Sequence, residues 1–145
     1  MNEEISIRVA RGADAASLVD FNQAMALETE GKRLDAEILR NGVEAIFHDE
    51  RKGFYVVAES ADGKIVGGLM ITFEWSDWRN HWFWWIQSVY LLPEERGRGI
   101  YRRLYEFVKE RAREKGDVGG FRLYVEKENT IAQNVYKKLD MVETY

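Results

Sequence analysis

Ser88-Val89-Tyr90-Leu91-Leu92-Pro93-Glu94-Glu95-Arg96-Gly97-Arg98-Gly99-Ile100-Tyr101-Arg102-Arg103-Leu104-Tyr105 reads as an apolar strand, a short acidic turn, a glycine loop flanked by arginines, and a helix. Glycines 97 and 99 let main chain pass close to a ligand with no Cβ in the way. The helix that follows carries Ile100, Leu104, Phe107, Val108 and Ala112 at a 3.6-residue spacing, so it has one apolar face. The first N–H groups of any helix lack an intrahelical acceptor, and the local dipole is positive there. With Arg96, Arg98, Arg102 and Arg103 nearby, that end favours a phosphate-bearing ligand.

Working outward, the long helix ends near Lys115-Gly116, and Gly120-Phe121-Arg122-Leu123-Tyr124-Val125 reads as a fifth strand. A strand–helix–strand crossover joins parallel neighbours. Upstream, Phe54 to Glu59 and Ile65 to Phe73 are strands joined by the hairpin turn Ala61-Asp62-Gly63-Lys64. A further strand from Trp82 to Leu91 follows a loop from Glu74 to His81, so these three form an antiparallel meander. The N-terminal part supplies a strand at residues 5–9, a helix capped by Asp14 with Leu18, Phe21 and Met25 inward, and a second helix from Asp35 to about Phe47. Ile38, Leu39, Val43 and Ile46 are its expected inward positions. Glu128-Asn129-Thr130 opens a last helix with Ile131, Val135 and Leu139 on one face, and one short strand fits between Asp140 and Tyr145. The expected fold class is α/β (α+β): a mixed, mostly antiparallel sheet whose parallel step is where ligands tend to sit.

A chain of 145 residues, 46% hydrophobic and 13% aromatic, suffices for one domain over residues 1–145 with a substantial core. A formal charge of −4 argues against a general nucleic-acid binder, which needs a basic surplus. No run approaches the ~18 apolar residues of a membrane span, and Met1-Asn2-Glu3-Glu4 does not open a signal peptide. With no cysteine there is no disulfide, thiolate metal site or cysteine nucleophile, and no metal site is expected. A cytoplasmic location is the expectation.

Two motifs on this framework resemble those of the GCN5-related N-acetyltransferase (GNAT) family. Arg96-Gly97-Arg98-Gly99-Ile100-Tyr101 is similar to its pyrophosphate loop, Arg/Gln-x-x-Gly-x-Gly/Ala, with Tyr101 standing where Gly or Ala is usual. A tyrosine there must turn away from the phosphates, or the loop must sit differently. Asn129-Thr130-Ile131-Ala132-Gln133-Asn134-Val135-Tyr136 is similar to the later Asn-x-x-Ala-x-x-x-Tyr motif. The resemblance implies acetyl-CoA (coenzyme A) as cofactor, its diphosphate held by N–H groups from Gly97 through Arg102. Val89-Tyr90-Leu91 would pair with the pantetheine arm like another strand, beside a parallel strand pair splayed at a bulge. Asn129 and Ala132 would border the arm, and Tyr136 would stand near the sulfur.

The chemistry so implied is direct attack of a primary amine on a thioester. The amine must first lose a proton, since a free alkylamine has a pKa near ~10.4. A main-chain N–H at or near Val89 would stabilise the oxyanion, and the Tyr136 phenol would protonate the leaving thiolate. Relatives often place a glutamate as base where this chain has Gln87. A water path past Gln87 and Ser88, a loop acid such as Glu28, Glu30 or Glu74, or His81 could carry that proton. All five tryptophans fall between residues 75 and 85. Trp82 and Trp84 share one strand face and Trp85 the other. Trp75 and Trp78, beside Glu74 and Asp77, would form an aromatic, acidic rim attractive to a cationic amine. Within the family this layout is loosely similar to spermidine/spermine and thialysine acetyltransferases. The few residues after Leu139 suggest either a truncated chain or a sheet edge covered by a second copy, and a homodimer is the expectation. The competing function is a non-catalytic acyl-CoA-binding module, suggested by Gln87 and Tyr101. A nucleotide phosphohydrolase is disfavoured, because no Lys-Ser/Thr follows the glycines.

Overall fold

The computed structural model describes residues 4–123. The elements run β1 (Ser6–Val9), a short 3-10 turn at Gly12–Asp14, α1 (Ala15–Glu30), α2 (Ala36–Ile46), β2 (Phe54–Glu59), β3 (Ile65–Ser76), β4 (His81–Leu91), α3 (Ile100–Lys115) and β5 (Val118–Leu123). They form one sheet in the order β1-β2-β3-β4-β5. The first four strands pair antiparallel, and β4 with β5 is the parallel step. The expected meander and crossover are therefore present, with helices on both faces. The expected Asp140–Tyr145 strand, the helix opened by Asn129, and Tyr124-Val125 of the fifth strand lie outside the described residues.

Side-chain alternation on β2 shows how the sheet carries two cores. Val56 and Ala58 face α3 and join Leu69, Ile71, Trp84, Ile86, Leu104 and Val108. Tyr55 and Val57 face the other way, onto Leu18, Phe21 and Val43 of α1 and α2. Period-2 strands between amphipathic helices bury apolar side chains on both faces, each worth roughly 1.5–3 kcal/mol when fully removed from water. The stripe expected on α3 is inward: Ile100, Leu104, Val108 and Ala112 are buried and Phe107 packs against the same core.

Several boundaries differ from the sequence reading. The hairpin between β3 and β4 is longer than expected, because Trp75 pairs with Trp82 and Ser76 with His81. Glu74 and Trp75 thus belong to β3, and the loop shrinks to residues 77–80. Aromatic residues facing each other across two strands favour continued pairing, and the Trp75 and Trp82 rings meet edge-on at 5.2 Å. Ile38 was expected inward but is 73% exposed; it sits on the first turn of α2, off the face that carries buried Val43. Asp14 does not cap α1 through its side chain. Its buried carboxylate instead receives both terminal nitrogens of Arg8 and the Arg11 N–H. Asp35 does cap α2, accepting from the Ile38 N–H at 2.9 Å.

Candidate active site at the β4–β5 cleft

Strand β4 changes character at Ser88. Gly68 pairs with Tyr90 and Met70 with Gln87, so two residues of β4, Ser88 and Val89, oppose the single residue Leu69. Ser88 has φ 51°, in the left-handed region, and an extra residue of this kind is a β-bulge that twists the strand locally. The parallel register with β5 runs from Trp82 to Ile86, whose partner Leu123 is the last described residue. Beyond Ser88 the strand's second edge has no partner among the described residues. The Leu92 N–H bonds the Val66 carbonyl on the β3 side. Alternation along the strand then turns the main-chain groups of Leu91 and Val89 to the open edge. The Leu91 carbonyl does point there, since it accepts from Arg96 Nε at 3.0 Å. Past the bulge the strand thus offers main-chain groups on the side away from β3, as a peptide-like arm would require.

The glycine turn lies at the end of the same strand. A 3-10 turn at residues 93–95 leads into Arg96, Gly97 and Gly99 both take φ 79°, and α3 starts at Ile100. A Cβ built on either glycine meets nothing within 4 Å, so the turn is open rather than sealed by packing. The start of α3 has no side-chain cap, and the Arg103 N–H is bonded to the Gly99 carbonyl. The N–H groups ahead of it lie before the reach of any intrahelical acceptor, the position where helices take anions. Tyr101 is buried among the α3-side core, 8% exposed. The tyrosine that departs from the motif thus points away from the turn, and the cradle is unobstructed: its donors fit a diphosphate.

The arginines behave differently from a free basic patch. Arg98 is drawn onto buried Glu95 at 2.7 Å. Arg103 donates to the Ile5 carbonyl at 2.6 Å, while Arg102 is exposed on the first turn of α3. Arg96 lies over the Tyr90 ring at 5.2 Å and donates to Glu28 at 2.9 Å. Glu28, in the last turns of α1, also accepts from the Tyr90 hydroxyl at 2.6 Å. The Tyr90 hydroxyl and the Arg96 charge hold this carboxyl below its ordinary range. Burial and the Glu28 charge raise the Tyr90 phenol. An ion-paired carboxylate of lowered pKa is a weak proton acceptor, which disfavours Glu28 as the base. Glu28 and Glu30 are helical rather than loop acids, and Glu30 meets Lys32 at the exposed surface.

Of the other expected site residues, Gln87 is exposed and its side-chain nitrogen donates to Thr72 Oγ1. It shares the α1-side face of the sheet with Trp85 and Glu74. Glu74 accepts from Trp85 Nε1 at 2.9 Å and from Arg122 at 3.2 Å. Trp75 lies on the opposite face, with Trp82 and Phe73. Trp78, 91% exposed, stands at the hairpin tip. At ~3.3 Å per strand residue, that tip is roughly 30 Å from Ser88, so the structure does not gather Trp75 and Trp78 around the bulge. The His81 ring nitrogen meets the Trp82 carbonyl and its ring packs edge-on against Phe83; it sits six residues before Gln87, far from the bulge. Asn129, Ala132 and Tyr136 lie outside the described residues. The Glu28–Tyr90–Arg96 triangle was missed by sequence reasoning, since its members are 62 and 68 residues apart and no local pattern links them.

No group of three His, Cys, Asp or Glu side chains able to hold a metal occurs among the described residues. No helix among them is long and apolar enough to cross a membrane.

Known proteins share this fold. The chain is 47% identical to a possible acetyltransferase from Clostridium difficile 630, over 97% of this chain and 92% of that one, with a TM-score of 0.88. A predicted acetyltransferase from Clostridium acetobutylicum, solved with acetyl-CoA, shares the fold at 20% identity (97% and 92% covered, TM-score 0.79). An aminoglycoside N-acetyltransferase in complex with CoA does so at 17% identity (100% and 92% covered, TM-score 0.78). The family model described as Acetyltransferase (GNAT) family matches residues 17–141. A bulged fourth strand, an open glycine turn feeding a helix, and a match across most of the sequence thus agree: the chain belongs to the GNAT acetyltransferase family.

Proposed function

We propose that the protein is an acetyl-CoA-dependent N-acetyltransferase that acts on a primary amine of a small acceptor. The observation that carries this reading is the bulge at Ser88, which lies on β4 just ahead of the open glycine turn and the start of α3. Main-chain donors from Gly97 to Arg102 would hold the diphosphate, and Val89 and Leu91 would pair with the pantetheine arm. When bound, acetyl-CoA supplies the acetyl group as a thioester. The Val89 N–H, turned to the open edge, is the donor for charge developing on the acyl oxygen. Tyr136, by its place in the Asn129-to-Tyr136 motif, hands its phenolic proton to the departing sulfur. Gln87 is no proton acceptor at neutral pH, so with Ser88 it orients a water that relays the proton from the incoming ammonium. An acceptor on this face meets Trp85, Gln87 and the free oxygen of Glu74, which favours a cationic amine over an acidic one. The protein is read as a homodimer, which light scattering of the purified protein tests as a mass of two chains.

The deciding experiment follows thiol release from acetyl-CoA across a panel of small amines. Amine-dependent thiol release supports the enzyme. Coenzyme A binding with no thiol release from any amine points to the acyl-CoA-binding module instead. In the active protein, Tyr136→Phe is expected to lower kcat about 10²-fold or more and to leave acetyl-CoA affinity within about twofold. Unchanged turnover would remove Tyr136 as the acid.

A further inference from the structure

Among the described residues, Arg96 has only part of its donor set engaged. Its Nε is bonded to the Leu91 carbonyl and one Nη2 hydrogen to Glu28 Oε1, while its plane lies over Tyr90. A guanidinium has five donors in a rigid fork. The Nη1 edge is not among the groups bonded to Leu91 or Glu28. Glu28 is in turn oriented by the Tyr90 hydroxyl on its other oxygen, and the Tyr90 ring is buried against Phe21 of α1 at 5.4 Å. Three elements therefore converge on one arginine: the last turns of α1, the end of β4, and the first residue of the glycine turn.

We infer that Glu28 is a positioning residue for cofactor binding, which anchors Arg96 along the end of β4 so that its remaining donors face the diphosphate turn. This rests on the reading of residues 96–102 as the diphosphate site. The anchor restricts a long side chain before the ligand arrives, so less conformational freedom is lost on binding. It also joins α1, a wall of the acceptor side, to the loop that receives the cofactor. Glu28 acts through Arg96 and touches neither ligand. Simple electrostatics predicts the opposite sign: removing a carboxylate next to an anion site should strengthen anion binding.

Isothermal titration of coenzyme A into wild type, Glu28→Gln, Glu28→Ala, Arg96→Ala and the Glu28→Ala/Arg96→Ala double variant tests the assignment. Glu28→Ala is expected to weaken binding about 5–10-fold, with Glu28→Gln between it and wild type, since the amide keeps an acceptor but loses the charge. The double variant is expected to bind within about twofold of Arg96→Ala alone, because the carboxylate has nothing left to orient. Acetyl-CoA KM should follow the same order while kcat at saturation stays near wild type. Equal or tighter binding by Glu28→Ala overturns the inference, as does a double-variant loss equal to the product of the single losses. Wild type that binds no coenzyme A overturns the diphosphate reading itself and the inference with it.

Discussion

Ser88 is the residue on which the site turns. Side chains with a Cβ pay roughly 1–2 kcal/mol in the left-handed region, and β-branched ones are least at ease there. Ser88→Val is therefore expected to lower stability by about 1–2 kcal/mol, read as a fall in Tm, and to cost activity beyond that by refolding the bulge. A variant with wild-type Tm and turnover would show that the bulge does not depend on this residue. Asp14 makes a second residue-scale prediction. The hydrogen bonds and charge of Arg8 hold the Asp14 carboxyl below its ordinary value despite burial. A depressed folded pKa means stability that is present above the unfolded value, ~3.9, and is lost as pH falls through the folded one. Asp14→Asn should cost roughly 3 kcal/mol near neutral pH and flatten the acid limb of the stability curve below about pH 4. Denaturant unfolding from pH 7 to pH 2 checks both parts.

Among elements, the helices were legible wherever chemistry is local. The spacing of Ile100, Leu104, Val108 and Ala112 predicts a helix with one buried face, and α3 has it. The second helix reads as opening at Asp35, and the structure makes Asp35 its cap; Asp35→Ala should cost about 1 kcal/mol through the lost bond to the Ile38 N–H. Ile38 itself is exposed, so Ile38→Glu should change the stability of the protomer by less than about 0.5 kcal/mol. A loss of 2 kcal/mol or more would mean that the side chain is covered. The β3–β4 hairpin was less legible. Glu74-Trp75-Ser76-Asp77 looks like a loop by its polar residues, yet pairing continues to Ser76 and His81 because the Trp75 and Trp82 rings pack edge-on across the strands. Cross-strand packing overrode local composition there. The same lengthening carries Trp78 out to the hairpin tip and Trp75 onto the α3-side face, away from the cleft.

Across the whole molecule, stability comes from the sheet filled on both faces. Leu69 and Leu104 are fully buried from opposite partners of the same core. Leu69→Ala or Leu104→Ala should each cost about 2–5 kcal/mol, the spread reflecting how far neighbours relax into the space. The sequence alone determined the order of elements, the parallel step after the glycine turn and the motif at Arg96–Tyr101, because periodicity, turn residues and helix ends are properties of neighbouring positions. Only the tertiary structure decided which residue forms the bulge, that Tyr101 turns into the core, and that Glu28 holds Tyr90 and Arg96. Those outcomes depend on strand register and on contacts between residues more than sixty positions apart, and they arise when α1 is laid across the end of β4.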